Sequence, residues 1–319
     1  MTSDPAKPLV VRTEALDPQA AQWLAERATL VECPFSDTDR LRQLLPNAHA
    51  LLVRTYTRVD AHLLDLAPNL RVVARAGVGL ENIDIPACTA RNVRVVSTPD
   101  ANSSAVAELV FAVLLDAVRP RLFLDAPVPP DRWASLRAEL IGQRQLEDLT
   151  LGVLGLGRVG SRVARIGSAF GMRVLFHDLR DIPEHERRGA KSVAFDRLLS
   201  QSDVLTVHVD GRPDNRLLLG ANQFPALKPD AIFINASRGM IVDHAALANF
   251  LRNHPAASAI LDVHEPEPIT ADNPLLGLPN AHLMPHIGAA TAKAHANMSW
   301  VVRDLWRVLQ HEEPHHPAN

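Results

Sequence analysis

The stretch LGVLGLGRVG (151–160) limits what this chain can fold into more than any other. An apolar run breaks into Gly155, Gly157 and Gly160 at G-x-G-x-x-G spacing, and an amphipathic stretch follows. Glycines recur at such spacing by chance. A strand before them and a helix after them supply a mechanism. Gly155 permits a tight turn, Gly157 lets the backbone approach a pyrophosphate, and Gly160 lets the helix pack against the strand. The helix N-terminus then offers free N–H groups to an anion. The next apolar run, MRVLFHD (172–178), ends in Asp178, 18 residues beyond Gly160. The acid that binds the adenine ribose hydroxyls of a dinucleotide is expected roughly 20 residues on. A carboxylate there favours NAD, because it repels the 2′-phosphate of NADP. Arg180, two residues on, could swing to such a phosphate.

The rest of the chain has the rhythm this loop requires. Short apolar runs at 9–13, 28–33, 50–55, 71–76 and 93–98 alternate with helix-like stretches, some opening on Ser36 or Asp60 as N-caps. A second series follows at 150–155, 172–178, 203–209, 231–236, 257–263 and 282–285. Alternation of this kind predicts parallel sheets covered by helices, and six strands in the second series match a doubly wound dinucleotide fold. Residues 101–118 read as one long apolar helix, and 291–310 as another. Between the two series, RPRLFLDAPVPPDRW (119–133) has prolines at 127, 129 and 130 and reads as an extended connector. The 319 residues suggest two domains.

Three strands of the second series end in groups able to do chemistry. AIFINAS runs into Arg238, ASAILDV into Glu265 and Glu267, and HLMP into His286. Ligands of open α/β sheets sit outside the carboxyl ends of the strands, which makes these groups candidates for one site. An arginine grips a carboxylate and polarises a neighbouring carbonyl. A histidine exchanges a hydroxyl proton near neutral pH. A glutamate bonded to that histidine stabilises its protonated form and orients it. Pro285 between His282 and His286 argues against a helical metal pair, and no metal is expected. His208, near another strand end, reads as packed or facing the cofactor.

Bulk composition excludes several classes. With 33 basic and 36 acidic residues and no basic stripe, nucleic acid is not an expected partner. No apolar run reaches about 18 residues, so no membrane span is expected. The start MTSDPAKP lacks the layout of a signal peptide. Two distant cysteines fit buried thiols in a reducing compartment, and a cytoplasmic location is expected. The tail HEEPHHPAN (311–319) is polar and expected to fray.

Six stretches together carry a specific likeness: ARAGVGLENID (74–84), NSSAVAELV (102–110), LGVLGLGRVG, NASRGMIVD (235–243), LDVHEPEP (261–268) and PHIGAAT (285–291). In these the chain resembles the D-isomer-specific 2-hydroxyacid dehydrogenases, over most of its length and in the family's order. The resemblance implies a Rossmann-type doubly wound parallel sheet (101–289) inserted in a flavodoxin-like substrate domain (1–100 and 290–319). It implies that Arg238 binds and polarises a 2-oxo acid, with His286 as general acid/base. Glu267 becomes its partner, since the family's acid precedes the proline in D-V-x-x-x-E-P. Val78 and Gly79 would present N–H groups to the substrate carboxylate, within the loop Ala76–Gly77–Val78–Gly79. Asn102 and Ser103 would lie near NAD. Gly155, Gly157, Arg158, Val159, Gly160, Asp178, His208 and Asp262 would complete the cofactor site. A homodimer through the NAD-binding domains is also implied.

LLVRTYTRV (51–59) followed by VVARAGVGLENID looks most like the 3-phosphoglycerate dehydrogenases. Arg54 and Arg75 then become candidates for the substrate's phosphate, with structural ion pairs as the competing account. The chain departs from the pattern at Asp210 and Arg212, where many relatives carry proline and threonine, and QLEDLTLG (145–152) lacks a usual glycine–lysine. No appended regulatory domain is expected. These departures leave glyoxylate or hydroxypyruvate as alternative substrates. A corepressor-like, NAD-sensing binding protein is the alternative of another class. Formate dehydrogenases are disfavoured because they carry glutamine where Glu267 stands.

Overall fold

The computed structural model describes residues 7–119, 121–142 and 144–319. Residues 1–6, part of the MTSDPAKP start, lie outside the described residues, as does Pro120 of the connector. The chain divides into two compact units, one of residues 1–102 and 289–319, the other of 103–288.

The first unit holds five parallel strands: β1 (Leu9–Arg12), β2 (Thr29–Glu32), β3 (Ala50–Val53), β4 (Val72–Arg75) and β5 (Arg94–Val96). Their order is β2-β1-β3-β4-β5, the flavodoxin-like arrangement. Strand periodicity sends alternate residues to opposite faces. Val10, Leu52, Val72 and Val96 pack on one face, while Val11, Leu51, Val53, Val73 and Val95 pack on the other. Both faces are covered, so these strands read as unbroken apolar runs.

The second unit holds seven parallel strands: β6 (Thr150–Leu154), β7 (Arg173–His177), β8 (Lys191–Ser192), β9 (Val204–Val207), β10 (Ile232–Asn235), β11 (Ser258–Leu261) and β12 (Ala281–Leu283). Their order, β12-β11-β10-β9-β6-β7-β8, is the doubly wound one with its switch point beside β6. The sequence predicts six strands. The seventh, β8, has two exposed residues and no apolar pattern to reveal it. Helix Ser103–Val118 packs Ala107, Val110, Phe111 and Leu114 into this unit's core.

Four expectations need correction. The final helix is two, Ala292–Ser299 and Val302–Leu309. Ser299 donates its hydroxyl back to His295 O and accepts the Asp17 N–H, a bond of the kind that bends a helix. The connector becomes helical at Pro130–Glu139, where a proline at the first position costs no hydrogen bond. The second helix of the first unit, Thr38–Leu44, is capped by Asp37 and not Ser36. The tail is not frayed. Buried Asp304 accepts the N–H groups of His315 and His316, Pro317 bridges antiparallel to Val96, and Ala318 donates to Val95 O. The Asn319 side chain bonds Val95 N, Val93 O and the Thr89 hydroxyl.

Candidate functional site

The glycine turn after β6 has the geometry its sequence implies. Gly155 sits at φ +90°, a conformation L side chains rarely adopt. A Cβ on Gly160 would lie 2.0 Å from Gly155 O, so helix Arg158–Ala169 approaches the strand as only glycine allows. A Cβ on Gly157 would meet nothing within 4 Å. The backbone there faces open space, and no side chain caps the first turn of this helix. An anion-binding cradle needs both features, so these residues fit a dinucleotide pyrophosphate. Arg158 and Val159 open the helix itself.

Strands β7 and β9 flank β6 and end in matching Asp-x-Arg turns. After β7, Asp178 Oδ1 accepts Arg180 N and Nε at 2.9 and 3.0 Å, and Oδ2 accepts Arg180 Nη2 at 3.0 Å and Leu156 N at 2.8 Å. After β9, Asp210 takes Arg212 through its N, Nε and Nη2 in the same way. Burial works against the Asp178 carboxylate, yet its bonds from Arg180 and Leu156 hold it below the usual range. His208, at the end of β9, bonds Thr206 Oγ1 at 2.8 Å, and burial pushes its pKa down to about 3.

Three neighbouring strands, β10, β11 and β12, carry the candidate acid–base set. Fully buried Asn235 ends β10 and builds the turn after it. Its Oδ1 accepts the Ser237 N–H and hydroxyl, and its Nδ2 donates to Arg238 O at 3.0 Å. Arg238 is half-buried, and its Nη1 donates to Ser237 O. Gly239 comes next because the chain passes close here: a Cβ would lie 2.0 Å from the His264 carbonyl carbon.

After β11, the two candidate glutamates separate. Glu265 pairs with Arg216 at 2.9 Å. Glu267 Oε2 bonds His286 Nδ1 at 2.8 Å, and its Oε1 accepts His264 N at 2.8 Å. The bond from Glu267 raises the His286 pKa, against burial and nearby Arg238, with Asp262 assisting. Burial disfavours the Glu267 carboxylate, but its bonds from His286 and His264 N outweigh that and lower its pKa. His286 sits at φ +54°, unusual for a side-chain-bearing residue. Backbone strain of this kind clusters at functional sites. Asp262 is 2 % exposed, and its oxygens accept Ile287 N and Gly288 N at 2.7 Å each. It anchors the loop just beyond His286.

Ser103 is buried at the first position of its helix. In the first unit, Val53 and Arg75 are register partners, so Arg54 and Arg75 leave neighbouring strand ends. Arg54 is half-buried, and burial lowers its pKa against the attraction of Glu14 and Tyr56. The Glu14 carboxylate accepts the backbone N–H groups of Arg54, Thr55 and Tyr56. Arg75 folds over Gly77, where a Cβ would overlap its Nη1. Val78 and Gly79 come next in that loop, and Thr98 N donates to Gly77 O.

Sequence reasoning missed Glu14 and His264. An acid after β1 and an imidazole after β11 carry no pattern of their own; their partners are 40 and 20 residues away. Among the described residues no metal-binding cluster of His, Cys, Asp and Glu occurs, and no helix is long and apolar enough to cross a membrane.

Residues 111–288 match the model of the D-isomer specific 2-hydroxyacid dehydrogenase, NAD binding domain. The chain is 39% identical to a D-3-phosphoglycerate dehydrogenase of Archaeoglobus fulgidus over 297 residues, 92% of this chain and 56% of that protein. It therefore spans about half the length of that relative. It is 38% identical to a glyoxylate reductase of Aeropyrum pernix over 263 residues, 81% of this chain and 78% of that one. A solved structure from Thermus thermophilus superposes with a TM-score of 0.84 at 32% identity, covering 98% of this chain and 100% of that one.

Proposed function

Because the chain belongs to the D-isomer specific 2-hydroxyacid dehydrogenase family, we propose that it interconverts a D-2-hydroxy acid and its 2-oxo acid with NAD(H). The Glu267–His286 bond at 2.8 Å, beside Arg238, carries this reading. When bound, the nicotinamide supplies or accepts a hydride at C2. Arg238 binds the acid and polarises its 2-oxo group. Glu267 holds Nδ1 of His286, which leaves Nε2 to give a proton to the oxygen at C2, or to take one in the reverse direction. Asp262 secures the backbone beyond His286, and the family likeness makes it a candidate for the cofactor site.

The proposed substrate is 3-phosphoglycerate. Glu14 is engaged by three backbone groups, which leaves the half-buried Arg54 to bind an anion, with Arg75 beside it. Val78 and Gly79 would offer N–H groups to the carboxylate. Glyoxylate or hydroxypyruvate is the second reading, favoured by the likeness to the Aeropyrum pernix reductase. Asp178 and the loop Gly155, Gly157, Arg158, Val159 and Gly160 would hold NAD, with Ser103 and His208 at its margins. Arg180 and Arg212 keep NADP(H) worth testing. Exposed Phe123, Trp133 and Ile141 support a homodimer through the cofactor unit. Two free, buried cysteines, Cys33 and Cys88, suit a cytoplasmic setting.

An NADH-oxidation screen over small 2-oxo acids, 3-phosphohydroxypyruvate included and NADPH run in parallel, tests this reading. Turnover of one or more acids is expected. Nucleotide binding without any turnover would refute it and favour a nucleotide-sensing binding protein.

A further inference from the structure

His264 is 6 % exposed and touches all three segments that carry the acid–base set. Its backbone N–H donates to Glu267 Oε1 at 2.8 Å. Its Nε2 bonds Met284 O at 2.7 Å, two residues before His286. Its own peptide forms the wall against which Gly239 packs, directly after Arg238. A carbonyl only accepts, so the imidazole carries its hydrogen on Nε2. Nδ1 is buried with no hydrogen-bond partner among the described residues, and His244 packs edge-on at 6.2 Å between ring centroids.

The bond to Met284 matters because Pro285 and His286 are the next two residues. Pro285 has a fixed φ, so the position of the Met284 carbonyl is passed to His286 with little slack. His286 at φ +54° therefore lies between two anchors, the His264 imidazole before it and the Asp262 carboxylate after it. Unusual backbone conformations persist where their surroundings over-determine them.

We propose that His264 is a positioning residue whose imidazole holds the His286 loop in register with Glu267. The proposal rests on the acid–base roles given above to Glu267 and His286. A ring of similar shape without the donor would fill the space and release the Met284 carbonyl. A side-chain amide would restore a donor.

The test compares His264→Phe and His264→Gln with Glu267→Gln and the unaltered chain. The readings are kcat and KM on the best acid from the screen, the pH profile of kcat, NADH affinity and Tm. For His264→Phe, kcat is expected to fall about tenfold, the scale of a sub-ångström misplacement. The midpoint of its pH profile should move towards that of Glu267→Gln, while NADH affinity stays within about twofold. His264→Gln should recover most of the rate. An unaltered pH midpoint in His264→Phe, or equal impairment in His264→Gln, overturns the proposal while Glu267→Gln still lowers kcat. If Glu267→Gln leaves kcat unchanged, the acid–base reading itself fails and takes this proposal with it.

Discussion

Glu267→Gln is the most direct probe of the acid–base pair. The amide keeps the side chain's shape, and its oxygen can still accept the His264 N–H. The change removes the carboxylate facing His286 Nδ1 at 2.8 Å. A hydrogen bond to a charged group contributes about 1.5–3 kcal/mol. Here the side chains are 47% and 35% exposed, and solvent screening brings the figure down to about 1–2 kcal/mol. At 1.36 kcal/mol per tenfold in rate, kcat for reduction should drop by about 5- to 30-fold. The sign with pH is set by the raised His286 pKa. In the proposed reaction, reduction needs the imidazolium, so its rate is present at low pH and is lost as pH rises through that pKa. In Glu267→Gln the loss should set in at lower pH. Oxidation needs the neutral ring, and its rising limb should move the same way. Stopped-flow NADH oxidation for reduction, and NADH formation for the reverse direction, across pH 5–9 (about four units, spanning the ordinary histidine value) read both effects. Equal midpoints in the two proteins would refute the reasoning.

Other outcomes rest on the same geometry. Arg54→Ala should raise KM for a phosphorylated acid about 10- to 100-fold, as expected for a lost charge-assisted pair, and leave glyoxylate untouched; steady-state kinetics on both acids checks it. Arg238→Lys should cost about 100-fold in kcat/KM, because a point charge cannot replace the planar fork. Gly160→Ala places a methyl 2.0 Å from Gly155 O. Calorimetry should find it less stable by about 1–3 kcal/mol, and titration should find NADH binding weakened.

The sequence makes the strands and the glycine turn legible because local patterns encode them. Runs such as ALLV and IFIN are buried on both faces, and Gly155 and Gly160 mark a turn that leaves no room for a side chain at either position. Arg238, Glu267 and His286 are visible as chemistry-bearing residues at strand ends, and the Glu267–His286 bond joins two of them. Separating Glu267 from Glu265 takes the family pattern, and Arg216 shows why Glu265 is engaged elsewhere. Features fixed by distant partners leave no such trace. The helix break after Ser299 goes with a bond from the Asp17 N–H, far away in sequence, to the Ser299 hydroxyl. His264 looks like one more polar residue after a strand until Met284 is placed beside it. The Asp-x-Arg turns are visible as letters, but their matching geometry appears only once β7 and β9 flank β6.

The ordered tail covers one edge of the first unit's sheet. Strand β5 lies at the margin of its sheet, and Val95 and Val96 are both fully buried. An uncovered strand margin is a template for pairing with a second molecule. Residues 316–319 occupy that margin with backbone and side-chain bonds, and Asp304 fastens them from behind. A polar segment that looks dispensable in sequence thus shields an apolar, sticky edge. Removing it should first be felt as self-association at high concentration, before any loss of chemistry.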